Sequence, residues 1–418
     1  MAVAVVDKQQ QATLTGWRAA LIYGFGIALA HRVLLTLWMA IVWSIVGASL
    51  GSTRIDFHSV NAQLPALTSP LEQSVFGVWR RWDAVHYLDL AVNGYRLDNA
   101  GATVFSLLTP FTFHAADAVL PGSIDLAAAV VETVAFSAAL ALLYRVVELL
   151  FSDEKLARWS VVALALMPVS FFFAAPMSES IHLAFVLAFV YCALKDRWAL
   201  AGVMGMFATL ARSQGMFLVG VGGLLLIERY GWPPRQALGT YGRQMLPRAV
   251  WLALIPLGML IFLAYRASLN LPPLDAIYSS YSYAFFVNPI EAVLINLRWI
   301  AANPNLALFH PDMWALFLSI GLIVMMVFRP RHRRPALVFY VVVNLAFQIT
   351  KINYDWGTNV VMYSQSVARY ALLLFPLTVL IADGLKSTTK WGRIVGVLVL
   401  LTSVLALSAG YVLALTGP

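Results

Sequence analysis

The chain has 418 residues, of which 61% are hydrophobic and 11% charged, against about 25% charged in soluble domains. No single aqueous core hides that much apolar surface, so lipid must cover the excess. The net charge of +8 is spread between apolar runs rather than gathered in one patch, which reads as a topology signal and excludes a nucleic-acid partner. A single cysteine, Cys192, excludes an intrachain disulfide framework or a cysteine-based zinc site.

In chain order, a polar start carrying Lys8 leads into an apolar run too long for a signal-peptide core and without a clear cleavage site. It is expected to stay as a helix. The apolar runs are Arg18 to Leu50, Ile124 to Phe151, Arg158 to Ala175, Ile181 to Leu194, Trp198 to Ala211 and Met216 to Ile227. They continue with Leu246 to Ala267, Met313 to Phe328, Pro335 to Ile349, Val367 to Ala382 and Trp391 to Leu415. The expected fold is an all-α polytopic transmembrane bundle of about eleven spans, one domain over residues 1–418. Several runs fall short of the ~20 residues of a perpendicular span. Such helices are expected to be tilted or broken, with their ends covered by protein or an aqueous cavity.

Basic residues set the orientation. Arg229, Arg235, Arg243 and Arg248, then Arg329, Arg331, Arg333 and Arg334, then Lys386, Lys390 and Arg393 mark three cytoplasmic loops. Lys155 with Arg158 and Lys195 with Arg197 join that side, which puts the amino terminus in and the carboxyl terminus out. The long loops 51–123, 270–312 and 351–366 then face outward, are rich in aromatics, and are expected to carry function. No internal repeat or matching pair of interrupted helices is visible, which disfavours a carrier.

The densest chemistry runs from Trp79 to Tyr95. Trp79, Trp82, His86 and Leu90 form one helical stripe, Asp83 and Tyr87 adjoin it, and Asn93-Gly94 supplies a stop. This predicts an amphipathic helix over 79–93 at the outer interface. One reading is an interfacial anchor of aromatics and lipid-binding arginines. The other makes Asp83 the acceptor of a proton from an attacking hydroxyl, while Arg80 or Arg81 neutralises a phosphate. Arg32 with His31, and Glu132, lie inside apolar runs and call for partners or an aqueous cavity. His114 and His182 read as hydrogen-bonded boundary histidines.

Residues Arg81-Trp82-Asp83-Ala84-Val85-His86-Tyr87-Leu88, with Ala91 and Gly94-Tyr95 following, resemble the first outer loop of the PIG-V family of mannosyltransferases. Pro176-Met177-Ser178-Glu179-Ser180 before an apolar helix, Trp198-Ala199 to Ala211-Arg212, and Ser366-Val367-Ala368-Arg369-Tyr370 ahead of Phe375-Pro376 follow in the family's order. The resemblance implies a GT-C glycosyltransferase, which moves a sugar, typically mannose, from a polyprenyl-phosphate carrier to a lipid or glycan acceptor on the outer side. It implies Asp83 as general base and offers Arg81, His86, Arg212 and Arg369 for the carrier phosphate and acceptor. The loop 270–312 carries no recognisable family words, so the acceptor stays unnamed.

The remaining polar groups have two readings each. Ser178, Glu179 and Ser180 line an acceptor cleft or cap a helix. Arg212, where two short runs meet, binds phosphate or caps. Lys351, Tyr354, Asp355 and Trp356, with Arg369 and Tyr370, close over the donor or form an aromatic belt. The leaving phosphate is already charged, so arginines suffice to stabilise it and no cofactor is expected. No His-Glu-x-x-His or Asp-x-Asp occurs, which leaves a divalent ion shared by Asp83 and Asp89 as the metal alternative. The absence of Walker and dinucleotide motifs disfavours nucleotide binding. From the arginine bias and the lack of a retention tail the chain is expected in a bacterial inner membrane. The rival function is a lipid-linked-sugar flippase.

Overall fold

The computed structural model describes residues 2–46, 62–67, 69–232, 238–281, 284–354 and 361–413. Asp355, Trp356 and the first part of the 51–123 loop lie outside these. Each apolar run carries a helix. The long ones are α1 (Ala2–Val46) and, beyond α2 (Asp83–Asn93), α3 (Ile124–Phe151). They are followed by the shorter α4 (Glu154–Leu166), α5 (Glu179–Leu194), α6 (Trp198–Ala211) and α7 (Leu218–Tyr230). Then come α8 (Leu254–Ser268), α9 (Pro289–Ala302), α10 (Pro311–Phe328) and α11 (Pro335–Ile349). The chain closes with α12 (Val367–Ala371), α13 (Phe375–Ser387) and α14 (Lys390–Val412).

Among the described residues, five helical stretches are long and apolar enough to cross a membrane unaided: Gly16–Val46, Ile124–Phe151, Tyr241–Ser268, Pro311–Phe328 and Lys390–Val412. The protein is thus a helical membrane protein with at least these candidate crossings. The shorter apolar helices α5, α6 and α11 lean on them.

Two of the short runs, expected to be tilted or broken, are broken at proline. Run 158–175 stops at Leu166 because Pro168 lacks an N–H and forces Met167 into extended backbone (φ −54, ψ 142). The chain then turns through a buried 3₁₀ segment, Ser170–Phe173, and restarts as α5. Pro376, in the first turn of α13, divides run 367–382 in the same way.

Small residues set the close helix contacts, as expected where both helices are apolar and packing replaces the hydrophobic effect. A Cβ on Gly24 of α1 would lie 2.8 Å from the Ser137 carbonyl oxygen of α3. One on Gly258 of α8 would lie 2.5 Å from the Met206 carbonyl oxygen of α6. Phe136 stacks on Phe173 at 4.5 Å between centroids, and Trp38 of α1 donates to the Leu405 carbonyl of α14 at 2.8 Å, joining the first and last helices.

At one end of the bundle Asp153 accepts from Arg331 (2.8 Å) and Lys386 (2.6 Å), and His332 meets Asp383 at 3.0 Å. Three of the loops that the charge pattern assigns to one side are therefore in direct contact. Asp196 likewise joins loop 195–197 to Arg248 at 3.1 Å. At the other end the fold departs from all-α. Strand β1 (Ala284–Phe286) pairs antiparallel with β2 (Lys351–Asn353), with Phe285 opposite Ile352. This ribbon clips loops 270–312 and 351–366 together.

If basic loops remain inside, a cysteine at Lys390 and one at Asp98, in a Cys192→Ser background, should react with an impermeant maleimide from opposite faces of sealed membranes. Labelling of both from one face would overturn the orientation.

Candidate functional site

The stretch 79–93 is not one helix. A 3₁₀ turn, Gly77–Trp79, ends at Arg80, Trp82 takes φ +51, and the α-helix starts at Asp83. That break turns the two arginines away from Asp83. Arg80 forms a two-pronged ion pair with Asp125, Nε to Oδ1 at 2.7 Å and Nη2 to Oδ2 at 2.5 Å, and donates to the Pro65 carbonyl at 2.7 Å. Arg81 donates to the carbonyls of Val412 (3.2 Å) and Arg80 (3.0 Å) and lies over Trp43. Both are buried and fasten the loop to the bundle. They do not join Asp83, which corrects their expected place at a phosphate site. The helix is also more buried than an interfacial anchor requires, since Ala84, Val85, Tyr87, Leu88, Asp89, Leu90 and Ala91 are all covered.

Asp83, in the first turn of α2, meets Arg369 instead. Arg369 Nη1 donates to Asp83 Oδ2, and its Nε donates to Glu179 Oε1. Arg212 Nη1 donates to the same Glu179 oxygen at 2.5 Å and to Ser178 Oγ at 2.9 Å, where the Tyr87 hydroxyl also donates (2.9 Å). The result is an alternating chain, Asp83, Arg369, Glu179, Arg212, drawn from four separate segments. Aromatic faces flank the cations: Arg212 sits 4.4 Å from the Tyr370 ring centre and Arg369 5.2 Å from Phe172. The Glu179 side chain is fully covered, Arg369 is 3% exposed and Arg212 7%, but Asp83 is 31% exposed. The chain of charge is sealed at one end and open at the carboxylate.

Burial pushes the Asp83 carboxyl up, but Arg369 outweighs it, with help from His86 and Lys351, and the net shift is downward. Asp83 is therefore an ionised acceptor at neutral pH. His86, one turn on and stacked against Phe105 at 5.6 Å, is held low by burial, against the opposing pull of Asp83 and Asp89. Lys351 stands at the start of β2 with its ammonium 5.6 Å from the Tyr278 ring centre. The β-ribbon brings this cation within electrostatic reach of Asp83.

Two expected residues play other parts. The Ser180 hydroxyl donates back to the Phe173 carbonyl (2.8 Å) and so fastens the turn before α5. Asp89 is fully buried: Oδ1 accepts from Gln63 N–H (2.8 Å), Asn93 (2.9 Å) and Arg96 (3.1 Å), and Oδ2 accepts from Asn99 (2.7 Å). It closes its own loop instead of facing Asp83. Among the described residues no cluster of three or more His, Cys, Asp or Glu side chains is placed to hold a metal ion.

The sequence reading missed the supports of Arg369. Ser366 takes φ +65, and the buried Asp312 carboxylate accepts its N–H on Oδ2 and the Ala368 N–H on Oδ1, both at 2.8 Å. Asn296 donates to Ser364 Oγ (2.8 Å) and accepts the Ser364 N–H (3.1 Å), and the Tyr363 hydroxyl lies 2.5 Å from His310 Nε2. Asp312 opens α10 after Pro311, which in sequence looks like ordinary helix capping; nothing there points to residues 366–368.

Together these features define a membrane protein with an ionised carboxylate, open to ligand, set against buried arginines. Residues 27–232 match the family described as Mannosyltransferase (PIG-V), so the family read from the Asp83 motif is shown over those residues. They include Asp83, Glu179 and Arg212, whereas Lys351 and Arg369 lie beyond them. GPI mannosyltransferase 2 of Schizosaccharomyces pombe is 30% identical over 156 residues, 36% of this chain and 32% of the relative. The chain thus spans about a third of that relative's length. The Archaeoglobus fulgidus oligosaccharyltransferase, in complex with zinc and sulfate, aligns over 91% of this chain and 53% of its own with 11% identity. Its TM-score of 0.42 is too low to establish a shared fold.

Two stability outcomes follow. Glu179→Gln leaves two buried guanidinium groups without their shared counter-charge, and should cost about 3–5 kcal/mol, against about 1–3 kcal/mol for Asp312→Asn. Thermal unfolding of the two purified variants checks the order. Because the Asp83 pKa is depressed in the fold, its ion pair stabilises above the ordinary carboxylate pKa of about 4 and fades as pH falls through the lower folded value. The stability gap between wild type and Asp83→Asn should be flat near neutrality and close in acid.

Proposed function

We propose that the chain is a GT-C-type glycosyltransferase that moves a sugar, mannose by its family, from a polyprenyl-phosphate donor to an acceptor hydroxyl on the extracytoplasmic face of a bacterial inner membrane. The carrying observation is that Asp83 is the partly open end of an otherwise buried charge chain. The acceptor oxygen attacks the anomeric carbon as its proton passes to Asp83. The bond from that carbon to the phosphate oxygen breaks on the opposite face, with inversion, and the polyprenyl phosphate leaves with the electron pair. Arg369 and Lys351 supply positive charge beside Asp83 for that phosphate, charge-assisted contacts that need no proton bookkeeping. Arg212 holds Glu179, and through it Arg369, in place. Tyr370 packs under Arg212, while Ser178 and Tyr87 brace the start of α5. The acceptor is a lipid or glycan hydroxyl that enters from the open side of Asp83, past His86.

A flippase would use the same groups to bind a lipid-linked sugar without breaking a bond. The two readings separate in one assay, with purified protein, polyprenyl-phosphate mannose and a lipid-extract acceptor pool. Asp83→Asn should lower transfer by about 10² to 10⁴ while carrier binding changes little and the fold, less stable only by the lost Asp83 ion pair, stays intact at the assay temperature, since Arg369 keeps Glu179. Arg369→Lys, which retains charge but loses the planar fork, should weaken carrier binding. Unchanged transfer by Asp83→Asn would remove the base assignment. Carrier movement across vesicles without any sugar transfer would establish the flippase.

A further inference from the structure

We propose that the groove between α10 and α11 binds an anionic phospholipid of the leaflet opposite the Asp83 site, with its headgroup phosphate on Arg333 and an acyl chain along α11. The groove holds about 630 Å³ and is walled by Val327 of α10 and by Pro335, Val338, Phe339, Val342 and Ala346 of α11. These α11 positions recur every three or four residues and so form one continuous face, about 16 Å long at 1.5 Å per residue. The polar exception in the lining is Arg333, at the end where α11 begins.

The charge at that end selects the occupant. Arg331 is committed to Asp153 and Asp383, and Arg334 donates to the Leu150 carbonyl at 2.7 Å. Arg333, between them, is exposed, and its guanidinium makes no hydrogen bond or ion pair among the described residues. The Glu228 carboxylate nearby is turned onto the Ala336 N–H at 2.7 Å. A planar donor fork at the mouth of an apolar groove suits a phosphate esterified to an apolar tail. The sugar donor's own phosphate does not fit this role. Lys351, beside Asp83, follows the far end of α11, and that helix of 15 residues separates the two ends by about 22 Å.

The position has a consequence for the bundle. α10 carries in its first turn Asp312, which holds the Arg369 turn, and α11 leads into Lys351. A lipid seated between these helices would fix their spacing from the opposite leaflet.

The test uses the full chain in detergent, given equal amounts of phosphatidylglycerol, phosphatidylcholine or a polyprenyl phosphate, with retention read by native mass spectrometry and thermal shift. Phosphatidylglycerol should be retained over phosphatidylcholine, and Arg333→Ala should abolish that preference, lowering retention about tenfold, as for loss of one charged hydrogen-bonding contact. Val342→Trp, which fills the groove, should lower retention with Arg333 intact. Equal retention of the two phospholipids, or phosphatidylglycerol binding unchanged in both variants, overturns the proposal. So does selective retention of the polyprenyl phosphate that Val342→Trp removes, which would assign the groove to the donor's tail. None of these readings depends on transfer activity, so failure here leaves the glycosyltransferase reading untouched.

Discussion

A charge withdrawn from water inside an apolar bundle costs several kcal/mol unless a counter-charge of good geometry meets it. The interior of this protein is arranged around that requirement. Two arginines and two carboxylates alternate from Asp83 through Arg369 and Glu179 to Arg212, and each comes from a different segment: the start of α2, the turn of α12, the start of α5 and the end of α6. No one of these segments can shift without exposing a partner's charge to a low-dielectric surrounding. The short helices follow from the same demand. α5 must begin at Glu179 so that its side chain lies between the two guanidinium groups, and α6 must end where Arg212 reaches that carboxylate.

Backbone strain falls beside both partners of the open ion pair. Trp82, at φ +51, immediately precedes Asp83, and Ser366, at φ +65, lies three residues before Arg369. Non-glycine residues hold such conformations at a cost of about 1–3 kcal/mol only when their surroundings over-determine them. Here the surroundings do. Arg80 on Asp125, Arg81 on the end of α14, and the Tyr411 hydroxyl on the carbonyls of Trp79 and Arg81 fix the first turn. Asp312 and Asn296 fix the second. Residues that looked like phosphate ligands in the sequence thus act on the site through the backbone that aims Asp83.

How much of this was legible depended on the kind of signal. Asp83, Glu179, Arg212 and Arg369 stood out because each lies in a motif that resembles the PIG-V family, and all four meet in space. Arg80 and Arg81 misled because helical periodicity from Trp79 to Leu90 survives a break that only backbone dihedrals reveal. That short runs would be broken followed from their length, and Pro168 and Pro376 supply the positions of two of the breaks. Asp312 left no trace, since a carboxylate that binds main-chain N–H groups more than fifty residues away has no sequence partner to pattern with. The three-residue strands β1 and β2 were likewise too short to alternate recognisably.

The proposed reaction places one further constraint on Arg369. A carboxylate in a tight ion pair is a weak proton acceptor, and a general base works best when its pKa lies nearer the working pH. Arg369 depresses the proton affinity of Asp83. A donor phosphate drawing on the same guanidinium would share its positive charge and weaken its hold on the carboxylate, so donor binding in the proposed reaction would raise the proton affinity of the base at the step that needs it. On that proposal Glu179 would keep the guanidinium in place through its bond to Arg369 Nε while a donor phosphate competes with Asp83 for Nη1. In the proposed reaction the same buried pairing that makes the fold rigid would keep the carboxylate least basic until a donor arrives, an ordering that would protect the site from deprotonating an acceptor with no sugar to receive it.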